Sequence, residues 1–151
     1  MIRVAVEADI SELIECGRRF FEATDLSKAA ITYDEDSAAK TFYGLIQDPA
    51  SVVFIAENEQ GKMSGMAGAT VHPFYFNLSL KVAQEHFWFI DGNYRNKRDG
   101  IRLFNALEAW AREKGADIMS MASLSSSSNS VRKFYQRNGF YEQETNYLRR
   151  L

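Results

Sequence analysis

The sequence predicts a mixed α+β domain, a sheet covered by helices, on three observations. Two runs, Ser51 to Glu57 (SVVFIAE) and Val82 to Asp91 (VAQEHFWFID), have the β-branched and aromatic composition of strands. Elsewhere apolar residues recur at helical spacing, as in Leu103, Phe104, Leu107, Trp110 and Ala111. The two kinds of segment mix along 151 residues with no repeat or linker, so residues 1–151 read as a single domain.

The elements follow in chain order. Ile2, Val4 and Val6 alternate with Arg3 and Ala5, a short strand. Asp9 stands three residues before Glu12, a capping-box start for a helix carrying Ile10, Leu13, Ile14, Phe20 and Phe21. A second helix is expected from about Asp36 to Gln47, stopped by Asp48-Pro49, since a residue before proline avoids helical geometry. Ser51 to Glu57 and Met63 to Val71 make a hairpin about the turn at residues 58–61. His72 to Leu80 reads as an aromatic-rich loop, and Val82 to Asp91 is the strongest strand. Tyr94 to Gly100 is a polar, basic connector to a helix that Gly115 closes after Lys114. Ile118 to Ala122 is a strand. Ser128 or Asn129 caps a helix bearing Val131, Phe134 and Tyr135, which Gly139 ends, and Phe140 to Leu151 reads as two short strands.

Composition narrows the function. Eighteen basic and twenty acidic residues give a net charge of −2, a poor basis for wrapping nucleic acid or an anionic membrane. Cys16 is the only cysteine and His72 and His86 the only histidines, so neither a disulfide, a metal cluster nor a Ser-His-Asp triad is indicated. No signal peptide and no membrane-length apolar run is visible, and the chain reads as cytoplasmic. The sequence sets no oligomeric state; a homodimer is among the arrangements it allows.

Three segments carry chemistry. Arg95-Asn96-Lys97-Arg98-Asp99-Gly100-Ile101-Arg102 follows a strand and opens a helix. Helix N-termini present free N–H groups and partial positive charge, Gly100 admits close approach of a ligand, and the basic residues add charge; this suits a phosphate. Taken alone, the segment reads more readily as a solvated basic turn, since charged turns are common. It is neither a Walker loop, which needs G-x-x-x-x-G-K-[ST], nor the G-x-G-x-x-G of a dinucleotide fold. The second segment, Ser128 to Phe140, is an amphipathic helix whose Phe134, Tyr135 and Phe140 could be core aromatics. The third, Ala83 to Asp91, carries Glu85 and His86, whose side chains leave opposite faces of a regular strand. Only one can then reach a given cleft, unless a bulge re-aims them.

Taken in chain order, strand, loop, amphipathic helix, strand and then the capped helix with Tyr135 before Gly139-Phe140, the segments resemble the GNAT superfamily of N-acetyltransferases, and within it a small phage-encoded and bacterial subset. The resemblance spans the chain. Arg95 and Gly100 match the ends of the family's [QR]-x-x-G-x-[GA] loop, while Arg98 stands where a glycine is usual. It implies a central mixed, largely antiparallel twisted sheet with a parallel splayed strand pair at its middle and helices on both faces. It implies acetyl-CoA as co-substrate and no metal. The CoA would be held by Phe89, Ile90 and Asp91 on the strand, by Arg95, Asn96, Lys97, Arg98, Asp99, Gly100 and Ile101 of the loop, and by Asn129 and Phe134. Tyr135 would be the general acid toward the CoA thiolate, and Glu85, with His86 as rival, the base toward the amine. The acceptor, a small-molecule or a protein or peptide amine, would approach the first two helices and nearby loops, which carry Phe20, Phe21, Asp25, Tyr33, Asp34 and His72 to Phe76. A phage protein would act in the host cytoplasm. Two other readings stay open: a GNAT-fold module that binds acyl-CoA or a protein without catalysis, and a phosphate-binding enzyme of another class.

Overall fold

Apolar side chains leave the central strands toward two faces, and each set is covered by its own helices. The computed structural model describes residues 1–94 and 97–151, with the side chains of all of these but Lys97. Their elements are β1 (Ile2–Val4), α1 (Ile10–Glu22), α2 (Glu35–Gln47), β2 (Ser51–Glu57), β3 (Met63–Phe74), β4 (Asn77–Ile90), α3 (Lys97–Glu113), β5 (Ile118–Ser120) and α4 (Asn129–Arg137). The strands lie side by side in the order β1-β2-β3-β4-β5. All neighbours are antiparallel except β4 and β5, which are parallel, with α3 supplying the crossover such a pair needs.

On one face Val53, Ile55, Met66 and Phe87 pack against Leu13 and Cys16 of α1 and Phe42 of α2. On the other, Val52, Ala56, Ala67, Ala69 and Ala83 meet Leu103, Leu107 and Trp110 of α3. Leu13, Leu103 and Leu107 have no exposed surface, so cutting any one back to alanine should cost about 2–5 kcal/mol. Burial pushes the Cys16 thiol up to about 12; it is a packing residue, not a nucleophile. Gly65 marks a close approach of β3 to β4, where a Cβ would stand 2.6 Å from the Phe89 carbonyl oxygen. Among the described residues no helix is long and apolar enough to cross a membrane.

Six sequence expectations change. Lys97 to Gly100 belong to α3 and not to a connector, and β5 ends at Ser120, short of Ala122. His72 to Leu80 is not a loop: β3 and β4 run on through it to a tight turn at Tyr75 and Phe76. Pro73 sits beside a register shift near this tip, where proline is tolerated. Phe140 to Leu151 forms no strand, so the parallel pair closes the sheet at its β5 edge and does not stand at its middle. Asp9 does not cap α1 through its side chain. Its carboxylate accepts both terminal nitrogens of Arg3 at 2.8 Å and the Val6 N–H at 2.8 Å. Arg3 also donates to Glu57 at 2.9 Å, so one guanidinium ties β1, the start of α1 and β2.

Where β4 and β5 part, the sheet opens. Their pairing is Val82 with Ile118, Ala83 with Met119 and Gln84 with Ser120, and it stops there. β4 continues to Ile90, so beyond Gln84 the side of β4 toward β5 has no strand beside it.

Candidate active site

The opening begins at a bulge. Opposite β3, Gly68 faces Phe87 and Ala69 faces Glu85, which leaves His86 as the extra residue. The facing of the strand changes there: Ala83 belongs to the α3 side, whereas Phe87 packs with α1 and α2. The expected conflict between Glu85 and His86 is thereby removed. Both line one narrow cavity of about 80 Å³, together with Phe20, Trp88, Ala122, Leu124, Ser127, Val131 and Tyr135. Phe20 reaches it from α1, Val131 and Tyr135 from α4, because the gap between the strands connects the two faces. The volume is well short of a whole ligand site; it suits the inner end of a cleft. A larger hollow of about 310 Å³, lined by Pro49, Ala50, Val71, His72, Pro73, Lys81 and Lys114, holds none of the residues expected to be catalytic.

Ala122, two residues past β5, organises the cavity through its peptide groups. Its N–H donates to the Glu85 carboxylate at 2.8 Å, and its carbonyl accepts the Tyr135 hydroxyl at 2.8 Å. The Glu85 carboxylate thus takes the amide that strand pairing would have used, and the strands separate around it. Glu85 is 8% exposed. Burial raises its carboxyl to about 7, with the Ala122 N–H pulling the other way. Burial, and then the nearby charge of Glu85, lift the Tyr135 phenol well above its ordinary value. His86 is exposed, and its Nε2 lies 2.7 Å from the Thr70 hydroxyl. Partial loss of solvent, with His72 nearby, lowers its pKa.

The other expected site residues are spread around this centre. Phe89 stacks on Phe20, ring centres 5.6 Å apart, on the α1 side. Ile90 packs on the α3 side. Asp91 is buried, with its carboxylate 2.6 Å from Arg19 of α1 and accepting the Asn93 N–H at 3.0 Å, so its side chain is turned to the α1 side. Arg95, Asn96 and the side chain of Lys97 lie outside the described residues. Arg98 and Ile101 are exposed in the first turns of α3, while Asp99 is buried and held by Arg102 at 3.1 Å. Asn129 opens α4 and is exposed, with Ser128 at the cap position. Phe134 lies among Trp88 and Phe104, at 5.5 and 4.9 Å between ring centres. On the acceptor side Phe20 reaches the cavity. Asp34 caps α2 through the Ser37 N–H at 2.7 Å, and the Tyr33 hydroxyl donates to the Ile14 carbonyl at 2.7 Å. Phe21 stacks on Tyr33, and Asp25 accepts the Ser125 hydroxyl at 2.9 Å.

Sequence reasoning missed Trp88 and Ala122. The Trp88 indole N–H donates to the Gly100 carbonyl at 2.9 Å, fixing the first turn of α3 against β4. A tryptophan in an otherwise strand-like run is a signal, since a buried indole needs an acceptor. Ala122 acts through its backbone and carries no side-chain signal. Among the described residues a Cβ at Gly100 would meet Ile90 and Trp88, at 3.6 and 3.9 Å, both ordinary contacts.

The sequence pattern of the Acetyltransferase (GNAT) family matches residues 14–140. The chain belongs to that family. No curated relative matches it by sequence. The GNAT fold is seen again in solved structures similar along the whole chain. A tetramutant of the BH1408 protein from Bacillus halodurans superposes with a TM-score of 0.81 at 17% identity, covering 100% of this chain and 99% of that one. AAC(6')-Iy, in complex with the bisubstrate analog CoA-S-monomethyl-acetylneamine, gives 0.76 at 20% identity, covering 100% and 97%. A ribosomal-protein-alanine N-acetyltransferase from Brucella melitensis biovar Abortus 2308 gives 0.73 at 18%, covering 100% and 99%. At these identities the likeness shows the shared GNAT fold and nothing about the acceptor.

Proposed function

We propose that this chain is an N-acetyltransferase that passes the acetyl group of acetyl-CoA to a primary amine of a small molecule, protein or peptide, by direct attack in a ternary complex. The observation that carries this reading is the parting of β4 and β5 around Ala122, with Glu85 and Tyr135 hydrogen-bonded to its two peptide groups. Beyond Gln84 the open side of β4, through Phe89 and Ile90, offers backbone groups to the amides of pantetheine. The first turn of α3 offers N–H groups and Gly100 offers space for the pyrophosphate. The basic residues Arg95, Lys97 and Arg98 supply charge for it. Arg98 stands where the family's glycine is usual, a variant of the loop similar to that of the phage-encoded and bacterial subset.

The amine arrives as an ammonium, since an alkyl amine has a pKa of about 10.4. Glu85, with its carboxyl raised to about 7, is basic enough near neutrality to take that proton, directly or through one water. The amine then attacks the thioester carbonyl, and the carbon–sulfur bond breaks. Tyr135 is protonated at working pH, as any phenol is, and so can donate a hydrogen bond, and finally the proton, to the departing sulfur; its raised pKa makes it a weaker acid while Glu85 is charged.

The test is thiol release from acetyl-CoA across a panel of amines. Tyr135→Phe keeps the ring and should lower kcat by about 10²–10⁴ with acetyl-CoA affinity little changed; wild-type turnover in that variant would leave Tyr135 a packing residue. The pH limb of kcat/KM rising through about 7, the value for Glu85, should vanish in Glu85→Gln. Acetyl-CoA binding with no thiol release from any amine would leave an acyl-CoA-binding module of the same fold.

A further inference from the structure

Four polar side chains form a line on the α1–α2 side of the sheet, ending at His86. Asp48, just after α2, has a carboxylate oxygen 2.8 Å from the Ser51 hydroxyl. Ser51 opens β2 and faces Thr70 of β3 in the register, with hydroxyls 2.7 Å apart. The Thr70 hydroxyl lies 2.7 Å from His86 Nε2.

The donors along this line follow from what each group has to give. A carboxylate only accepts, so the one hydroxyl proton of Ser51 points to Asp48. Ser51 must then accept from Thr70, whose one proton is thereby used. Thr70 has only lone pairs left for His86, so Nε2 must carry hydrogen. The second oxygen of Asp48 accepts the Ala50 N–H at 2.9 Å. These two bonds hold its carboxyl below the ordinary aspartate range, and the anchor stays charged. His72 provides a contrast within the same molecule. Its Nδ1 lies 2.9 Å from the Pro73 carbonyl, which only accepts, so His72 carries its hydrogen on Nδ1.

We propose that Asp48, Ser51 and Thr70 are positioning residues that hold His86 as its Nε2–H tautomer, leaving Nδ1 as the only ring nitrogen able to take a proton in the cleft. His86 then stands beside Glu85 as a second proton acceptor of defined direction. An N–H bond of the acceptor ammonium breaks, an Nδ1–H bond forms, and the imidazolium keeps its Nε2–H on Thr70. Its new charge is stabilised through the two hydroxyls by Asp48. Among the described residues the titratable groups near the ring are His72 on β3 and, lining the same cavity, Glu85 on β4 and Tyr135 from α4, with Asp48 at the end of the line. The use of Nδ1 rests on the acetyltransferase reading; the tautomer does not.

The ring nitrogens can be read directly by long-range ¹H–¹⁵N NMR at a pH where both histidines are neutral, with His72→Gln giving the assignment. His86 should show a protonated Nε2 and a bare Nδ1, and His72 the reverse. Thr70→Val keeps the shape and removes the hydroxyl. It should move His86 to a mixture of tautomers and shift its limb in the kcat/KM profile, without changing acetyl-CoA affinity. Thr70→Ser should restore both. A protonated Nδ1 on His86 in the wild type, or ring-nitrogen shifts unmoved in Thr70→Val, overturns the proposal. If the tautomers come out as stated and no amine accepts acetyl, the positioning line stands and the acetyltransferase reading alone falls.

Discussion

Replacing Glu85 by glutamine should stabilise the protein at alkaline pH and not at acid pH. The carboxyl goes from an ordinary value of 4.5 in the unfolded chain to about 7 in the fold. Its folded pKa is raised, so the folded state binds more protons between those two values. Stability from this group is complete below about 4.5 and declines as pH rises to about 7, above which the full penalty of a buried carboxylate applies. At about 1.4 kcal/mol for each pKa unit, the shift from 4.5 to about 7 amounts to about 3 kcal/mol. Glutamine has no such ionisation, and its carbonyl oxygen can still accept the Ala122 N–H. Urea denaturation of both proteins should give similar stabilities near pH 4.5 and a difference approaching 3 kcal/mol in favour of Glu85→Gln at pH 8. A constant difference between those pH values would mean that Glu85 ionises in the fold as it does in water. The carboxylate would then owe nothing to its burial, and its choice as the base would lose its physical ground.

Gly100→Ala should separate stability from binding. The added methyl meets ordinary contacts at 3.6 and 3.9 Å and gains helix propensity of up to about 1 kcal/mol, so the melting temperature should hold or rise. A methyl set against a bound pyrophosphate should cost about 1–3 kcal/mol, tenfold or more in acetyl-CoA affinity by calorimetry; unchanged affinity would remove this turn from the cofactor site. Arg3→Ala leaves Asp9 and Glu57, 12% and 14% exposed at the side chain, without their cation, and should destabilise by about 1–3 kcal/mol at pH 7. Arg3 lowers the Asp9 pKa, so that support is present above the ordinary aspartate value and lost as pH falls through the lower folded one. The variant and the wild type should therefore converge in acid, which denaturation at pH 2 and 7 would check.

What could be read beforehand followed the apolar pattern. β2 agrees residue for residue, and α4 and the glycines that close α3 and α4 fall where the pattern put them, with φ of 76° at Gly115 and 83° at Gly139, while α3 already starts at Lys97, inside the segment expected as a connector. The order of loop, crossover helix, β5 and Tyr135 was enough to suggest the family. The outer part of the β3–β4 hairpin was missed because Tyr75, Phe76 and Leu78 are exposed there; no buried face imposes alternation on a segment carrying Pro73. The tail went the other way: Tyr141, Tyr147 and Leu148 have strand-like composition but remain exposed without a partner strand. The bulge at His86 depends on a shift of register against Gly68 and Ala69, a pairing property that one strand's sequence does not contain. For the same reason the shared exposure of Glu85 and His86 to one cavity could be posed in advance but not decided.

The two hydrogen bonds at Ala122 have a bearing on timing. Tyr135 is a weak acid partly because Glu85 beside it is charged. If Glu85 takes the proton of the amine as proposed, that charge disappears and the phenol becomes more acidic, at the stage where sulfur would leave. With no amine present Glu85 is mostly anionic only above about pH 7, and there a waiting thioester would face a poorer proton donor. The site would thus act as an interlock that restrains idle hydrolysis until an acceptor has arrived. Glu85→Gln would remove the restraint along with the base: thiol release in the absence of amine should rise relative to transfer in its presence. A ratio equal to the wild type's would show that the two groups titrate without sensing each other.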